Sequence, residues 1–294
     1  MKSRVGQTVL DHDDGTRDIL QNNDAKRSFS KTTWKVGIDY DVPGLGLIYA
    51  NVSTGYKAGG FNDGCEIGQG ATCGLPAAAL YYAPETVTAY EGGFKFRFAP
   101  AVALNGSVFH YDYKGLQLSQ ITNLCGGPCT VTTNAAKAKI DGIELEAVLT
   151  PSPHHRIDLA FNWLDARYGD FNPTPAFDWS GRPLNRSPEI TASASYTFTQ
   201  PLANGGSVVF NGRIRLSDEY FIADLSQPFQ FRQPSFHKTD LSLTYNAPQD
   251  RFFIQAFARN IENEITLSTA STDLAGSAQF ADPRTYGVRA GLRF

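Results

Sequence analysis

Apolar and polar residues alternate with a period of two along most of this chain, in stretches bounded by Gly, Pro, Asn or Asp. A period of two is the signature of a β-strand whose two faces meet different surroundings. In TWKVGIDYDV, Trp34, Val36, Ile38, Tyr40 and Val42 share one face, and Lys35, Gly37 and Asp39 share the other. YEGGFKFRF sets Tyr90, Phe94, Phe96 and Phe98 against Glu91, Lys95 and Arg97, and DGIELEAVL sets Ile143, Leu145, Ala147 and Leu149 against Glu144 and Glu146. RIDLAFNW, EITASASYTF, SVVFNGRIRL and TDLSLTY repeat the pattern, with Arg213, Arg215 and Asp240 on the polar side. Residues 47–58 and 251–265 do not resolve this way. RFFIQAFARN carries apolar residues on both faces, so its orientation stays open.

The connections decide between a soluble sandwich and a membrane barrel. About eleven strands are expected, joined alternately by short and long segments. Short turns fall at 43–46, 99–101, 151–155, 202–206 and 248–250, and long connections near 60–85, 124–131, 170–187, 220–234 and 266–282. An up-and-down barrel in an outer membrane has tight turns on one rim and long loops on the other. A sandwich has no reason to collect its long loops at one end. Tilted membrane strands need about 9–11 residues, and the stretches 101–120 and 132–150 are longer, as strands that continue into loop stems would be. The expected fold is therefore all-β, an antiparallel transmembrane barrel wall of about 11–12 strands. Its apolar side faces outer-membrane lipid.

Composition agrees. Charged residues make up 19% of the chain and mean hydropathy is −0.28. A barrel wall averages out in this way because lipid-facing and lumen-facing positions alternate. No apolar run approaches the roughly 18 residues of a membrane-spanning helix. A net charge of −3 offers no basic stripe for nucleic acid. Residues 1–30 read as a polar, loop-like segment with a weak strand at Arg4–Leu10, ahead of a barrel region over 31–294. The opening MKSRVGQTVLDHDDGTRD lacks the apolar core of a signal peptide.

Few residues suggest chemistry. Cys65, Cys73, Cys125 and Cys129 form two local pairs in Gly-rich stretches, a pattern that fits disulfides. Free thiols are the alternative, and the spacing is poor for zinc. His154–His155 lies in a short turn as a solvated pair. His110 with Ser107 is the one conceivable nucleophile pair, and no motif supports it. No catalytic set, metal site or cofactor is expected, and the chain is not read as an enzyme. Glu91, Lys95, Arg97, Glu144, Glu146, Arg213, Arg215 and Asp240 should line the lumen, as a hydrated wall or as contacts to a plug or ligand. Among the loop aromatics, Tyr81, Tyr82 and Trp179 are the candidate ligand contacts.

Five stretches, in order, resemble the β-barrel domain of TonB-dependent receptors. They are YANVSTGYKAGGFN (49–62), PETVTAYEGGFKFRF (84–98), NAAKAKIDGIELEAVLTPS (134–152), ARNIENE (258–264) and DPRTYGVRAGLRF (282–294). The last, ending on Phe294, is similar to the signal read by the barrel-assembly machinery. The resemblance implies a receptor for a scarce nutrient such as an iron–siderophore complex, with haem, cobalamin and glycan as other classes, and a TonB complex as partner. Whole receptors have about 22 strands and a plugged lumen. The eleven here would be the second half, without plug or TonB box. A self-contained passive pore of about twelve strands is the alternative, and it needs residues 1–12 to add a strand.

Overall fold

The computed structural model describes residues 2–11, 13–62, 81–122, 129–134, 137–173, 175–223, 227–271 and 277–292. Eleven strands form one sheet in chain order: β1 (Lys35–Val42), β2 (Gly46–Lys57), β3 (Glu85–Ala99), β4 (Val102–Lys114), β5 (Ala138–Ser152), β6 (His155–Tyr168), β7 (Ile190–Pro201), β8 (Ser207–Ser217), β9 (Phe236–Asn246), β10 (Phe252–Arg259) and β11 (Thr285–Leu292). Every neighbouring pair is antiparallel, so the sheet is an up-and-down meander whose two edges are β1 and β11. The five short turns all lie on one rim, where the sequence places them. At the first, Leu45 N–H donates to Val42 C=O at 3.0 Å and Gly44 takes a φ of +73°.

The register sorts the side chains onto two faces. One row across the sheet reads Ala50, Gly92, Val108, Ile143, Trp163 and Ile190, with side chains on the apolar face. A row three residues along, on the other face, reads Lys95, Asn105, Glu146, Ala160, Ser193, Arg215 and Lys238. The apolar face is bare: Ile38 and Val288 are each 72% exposed. A single-layer sheet has no core of its own, and so broad an apolar surface requires lipid. On β5 this face runs apolar from Ile143 down to the turn at Pro151, and Asp141 and Lys139 begin the charged part above. The nine residues from Ile143 to Pro151 span about 27 Å of strand. At a tilt of about 35–45° that is about 19–22 Å of membrane, most of the ~25 Å apolar band of such barrels.

β10 shows why its sequence resists assignment. Phe253, Gln255 and Phe257 lie on the polar face, opposite Gly291, Arg289 and Gly287 of β11. A Cβ on Gly291 would come within 2.3 Å of the Phe253 ring, and one on Gly287 within 3.0 Å of the Phe257 ring. The two phenyl groups fill space that the glycines leave empty. Tyr49 covers Gly93, and Phe109 covers Gly142, in the same way. These four aromatic residues on the wet face are thus paired with glycine across the ladder.

The described residues of the long connections include paired strands. Hairpins pair Gly60–Phe61 with Tyr81–Tyr82, Gln117–Thr122 with Cys129–Asn134, Tyr220–Ala223 with Gln230–Gln233 and Leu267–Ser271 with Ser277–Phe280. The expected continuous strand 101–120 is therefore broken, at Gly115, where φ is +67°. Asn134 spans the break: its side chain bonds Ala83 C=O at 2.8 Å and Gly115 C=O at 2.9 Å. Asn62 pairs with the backbone of Thr132 as a strand would, at 2.8 and 2.9 Å.

The N-terminal segment holds the weak strand expected at Arg4–Leu10 and adds a second one, so it is more ordered than its loop-like reading. Lys2–Asp11 and Arg17–Arg27 form an antiparallel hairpin of their own, and neither strand joins the main sheet. The turn is an Asp-Gly signal: Gly15 has φ +82°, and Asp14 Oδ1 accepts the Thr16 N–H at 2.9 Å.

Candidate ligand site on the polar face

Charges on the wet face lie near both rims, with Lys95, Arg97 and Asp158 toward the short turns and Arg215, Lys238, Asp240 and Arg259 toward the long loops. At the loop-bearing rim, β6 to β11 border a cavity of about 760 Å³, roofed by residues 260, 266 and 281–283. Arg213, Arg215, Lys238 and Arg259 reach it, against two carboxylates, Asp240 and Asp282. Asp240 is fully engaged: one oxygen meets Arg215 Nη2 at 2.9 Å and the other accepts the Asn260 N–H at 2.9 Å. Lys238 Nζ donates to Thr266 Oγ1 at 2.9 Å, and Arg259 lies 5.2 Å over the Phe257 ring. Arg213 has no hydrogen-bond or ion-pair partner among the described residues.

Asn260 anchors the roof. It is buried, with φ +51°, and its side chain bonds Glu264 through both its amide and its carbonyl and reaches Asp282 C=O at 3.2 Å. Glu262 accepts the Thr239 N–H, and Asn263 that of Arg284. This is the structural content of the ARNIENE stretch. Asn260→Ala leaves several backbone groups without their bonds and should cost about 1–3 kcal/mol. Faster proteolytic nicking within 260–284 is the expected readout, with the sheet still intact.

The remaining lumen candidates share this face. Glu91 accepts the Tyr49 hydroxyl at 2.7 Å, Arg97 caps Pro100 C=O at 3.3 Å, and Glu144 and Glu146 lie beside Ser107 and Asn105 in register. The three aromatic candidates do not converge. Tyr81 is exposed beneath the Arg27 guanidinium, 4.0 Å away, and pairs next to Tyr82 in its hairpin. Trp179 is fully buried, packed with Tyr168 and Phe171 under the 169–189 loop. Its ring therefore presents no surface to a ligand in this structure. Burial pushes the Tyr168 phenol, above the apolar band, up to about 12. That loop also ties to its neighbours: Arg182 donates to Pro228 C=O at 2.8 Å, Gln230 to Pro183 C=O at 3.1 Å, and Arg186 to Ser268 C=O.

Ser107 and His110 fall on opposite faces, so the nucleophile pair does not form; His110 instead meets Asp141 at 2.7 Å on the outer side. Cys65, Cys73, Cys125 and Phe294 lie outside the described residues, as does the side chain of Cys129. Two of the cavity's cations escaped the sequence reading. Lys238 precedes the alternating stretch recognised in β9, and Arg259 belongs to the strand whose faces could not be told apart.

A one-layer antiparallel meander with a bare apolar band, a charged inner face and long structured loops on one rim is the wall of an outer-membrane β-barrel. The chain matches the TonB dependent receptor-like, beta-barrel family over residues 4–268 and belongs to it. That family consists of outer-membrane receptors and transporters rather than enzymes. Solved structures agree in fold. The ferric yersiniabactin uptake receptor FyuA from Yersinia pestis aligns with a TM-score of 0.69 at 21% identity, over 88% of this chain and 37% of its own. The siderophore receptor PiuA from Acinetobacter baumannii gives 0.66 at 19%, over 88% and 35%, and the copper transporter OprC gives 0.69 at 15%, over 98% and 43%. The chain thus spans well under half the length of these neighbours. A comparison with curated protein sequences finds no significant relative.

Proposed function

We propose that this chain forms half of the barrel wall of an outer-membrane receptor that takes up a small metal chelate, such as an iron–siderophore complex, with the TonB complex as its energy-coupling partner. The observation that carries this reading is the polar cavity at the loop-bearing end of the wet face, in a chain of this family. Neighbours of the same fold include receptors for ferric yersiniabactin and other siderophores, and a copper transporter.

The sheet edges support the half-wall reading. β1 and β11 both run from the loop rim toward the short-turn rim. Antiparallel closure therefore needs an odd number of further strands between them. A second copy of the sheet would meet each edge in parallel, so strands of a different segment are the better complement. The strand Lys2–Asp11 pairs elsewhere, which removes the support for a twelve-stranded passive pore.

Deleting the gene and supplying radiolabelled ferric chelates one at a time under metal limitation tests the proposal. Loss of accumulation of at least one chelate, reproduced in wild-type cells by collapsing the proton-motive force, is expected. Unchanged accumulation of every chelate would remove the receptor reading.

A further inference from the structure

We infer that the bilayer-facing side of β1 to β4 carries a fixed lipid site. A trough floored by Ala50 and Gly92 holds one acyl chain of a phosphorylated glycolipid of the outer leaflet, and Lys139 holds its phosphate. The site is on the outer side of the sheet and is independent of what the wet face binds.

Shape is the first argument. On the apolar face, Val36, Ile38, Val52 and Tyr90 stand around Ala50 and Gly92 and leave a hollow of about 690 Å³. A second hollow of about 360 Å³ shares Gly92 and Val108 with it and continues past Phe94 toward Leu145, so the two form one elongated trough. Gly92 is the reason for the gap. Nearby Gly93, Gly106 and Gly142 lie under the rings of Tyr49, Phe94 and Phe109. No side chain comes within 4 Å of where a Cβ on Gly92 would be, and the nearest atom is the Tyr49 carbonyl oxygen, at 3.7 Å. Nothing in the backbone demands glycine there, since its φ is not positive. A glycine inside a strand weakens it and marks a place where another group approaches the backbone closely.

Depth is the second argument. Gly92 is in register with Val108 and, through it, with Ile143, the last apolar residue of β5 before the charged part. The trough is therefore in the loop-side half of the apolar band, in the leaflet that faces outward. Such a leaflet is built of lipid A, whose phosphates stand on a sugar above saturated chains. The row above Gly92 reads Tyr90, His110, Asp141 and Asp165, and the next row Asp112, Lys139 and Arg167. Charge is the third argument. His110 lies 2.7 Å from Asp141 and 3.3 Å from Asp112, and Arg167 lies 2.5 Å from Asp165. The three carboxylates at headgroup level are thus already held. Lys139 is exposed and has no hydrogen-bond or ion-pair partner among the described residues. Lysine binds phosphate as a point charge, without the fixed geometry of a guanidinium.

The test uses the full chain extracted from outer membranes in mild detergent and exchanged into lipid-free detergent, with bound lipid counted by native mass spectrometry. Two probes are added back: lipid A, and phosphatidylglycerol, which has a phosphate and acyl chains without the phosphorylated sugar. Lipid A should bind at least about tenfold more tightly than phosphatidylglycerol. Gly92→Phe, whose ring fills the trough, should weaken lipid A binding roughly tenfold. Lys139→Gln should weaken it about fivefold and reduce its dependence on salt. Ala194→Phe adds a ring to the same face between Leu159 and Ile214, away from the trough, and should change nothing. If Gly92→Phe fails to reach the membrane, Lys139→Gln against Ala194→Phe makes the same comparison. Equal binding of the two probes, a loss in Ala194→Phe as large as in Gly92→Phe, or either trough variant holding lipid A as the native chain does overturns the inference. So does a second copy of the chain, in place of lipid, that Gly92→Phe releases.

Discussion

Trp179→Ala should collapse the 169–189 loop while leaving the eleven-stranded sheet in place. Trp179 has no accessible surface, and its neighbours Tyr168 and Phe171 are the other buried members of the same cluster. Truncating a fully enclosed indole costs about 3–5 kcal/mol, in transfer energy and in the cavity left behind. The loss stays local because the sheet is held by its own ladder and by lipid, and the loop by this cluster. Loops 220–233 and 267–280 should loosen with it, since Arg182, Gln230 and Arg186 tie them to the same segment. Tyr168 reports the change directly. Its phenol titrates at about 12 because it is buried, and in the variant it should fall back toward the ordinary value near 10. The raised value means that the loop core is fully stable below pH 10 and loses that contribution as pH climbs through about 12. Ultraviolet difference titration of the phenolate reads this out. An unchanged Tyr168 titration in the variant would show that Trp179 is not what encloses it.

The second large effect separates two adjacent residues. Leu145 lies in the middle of the apolar band of β5, 39% exposed, and Glu146 is its neighbour on the wet face. Leu145→Arg places a cation in lipid and should cost about 2–4 kcal/mol near the midplane. Glu146→Arg stays in water beside Asn105 and Ala160 and should change stability by less than about 0.5 kcal/mol. Folding yield into vesicles and the denaturant midpoint of the inserted form check both. Equal penalties at the two positions would contradict the assignment of faces.

What the sequence made legible follows from what is local. Period two and the turn residues at 43–46, 151–155 and 202–206 depend on near neighbours, and they place the strands, the short-turn rim and the faces of β1, β3, β5 and β6. The Asp-Gly pair at 14–15 is also a local turn signal, and it marks the N-terminal hairpin that composition alone reads as loop. What escaped is set by distant residues. Phe253 and Phe257 look apolar on a polar face until Gly291 and Gly287 appear across the ladder. Trp179 looks like an exposed loop aromatic until Tyr168, at the end of β6, folds over it. The cavity needs β6 to β11 and two loops together, so Arg213, Arg215 and Asp240 were readable as lumen residues, but their grouping with Lys238 and Arg259 was not. Three of the five family-like stretches carry such structure: the asparagines at 62, 134 and 260 are the side chains that bind loop to strand.

Spin labels at single cysteines introduced in turn at residues 143–149 of β5, with the four native cysteines replaced by serine, test the arrangement most directly. In reconstituted vesicles, positions 143, 145, 147 and 149 should collide with dissolved oxygen, which concentrates in lipid. Positions 144, 146 and 148 should collide with a water-soluble nickel complex. A strict two-residue alternation places the apolar face in the bilayer. Labels shielded from both agents at 143, 145, 147 and 149, in a chain that stays monodisperse without detergent or lipid, would mean that these residues fill an interior instead.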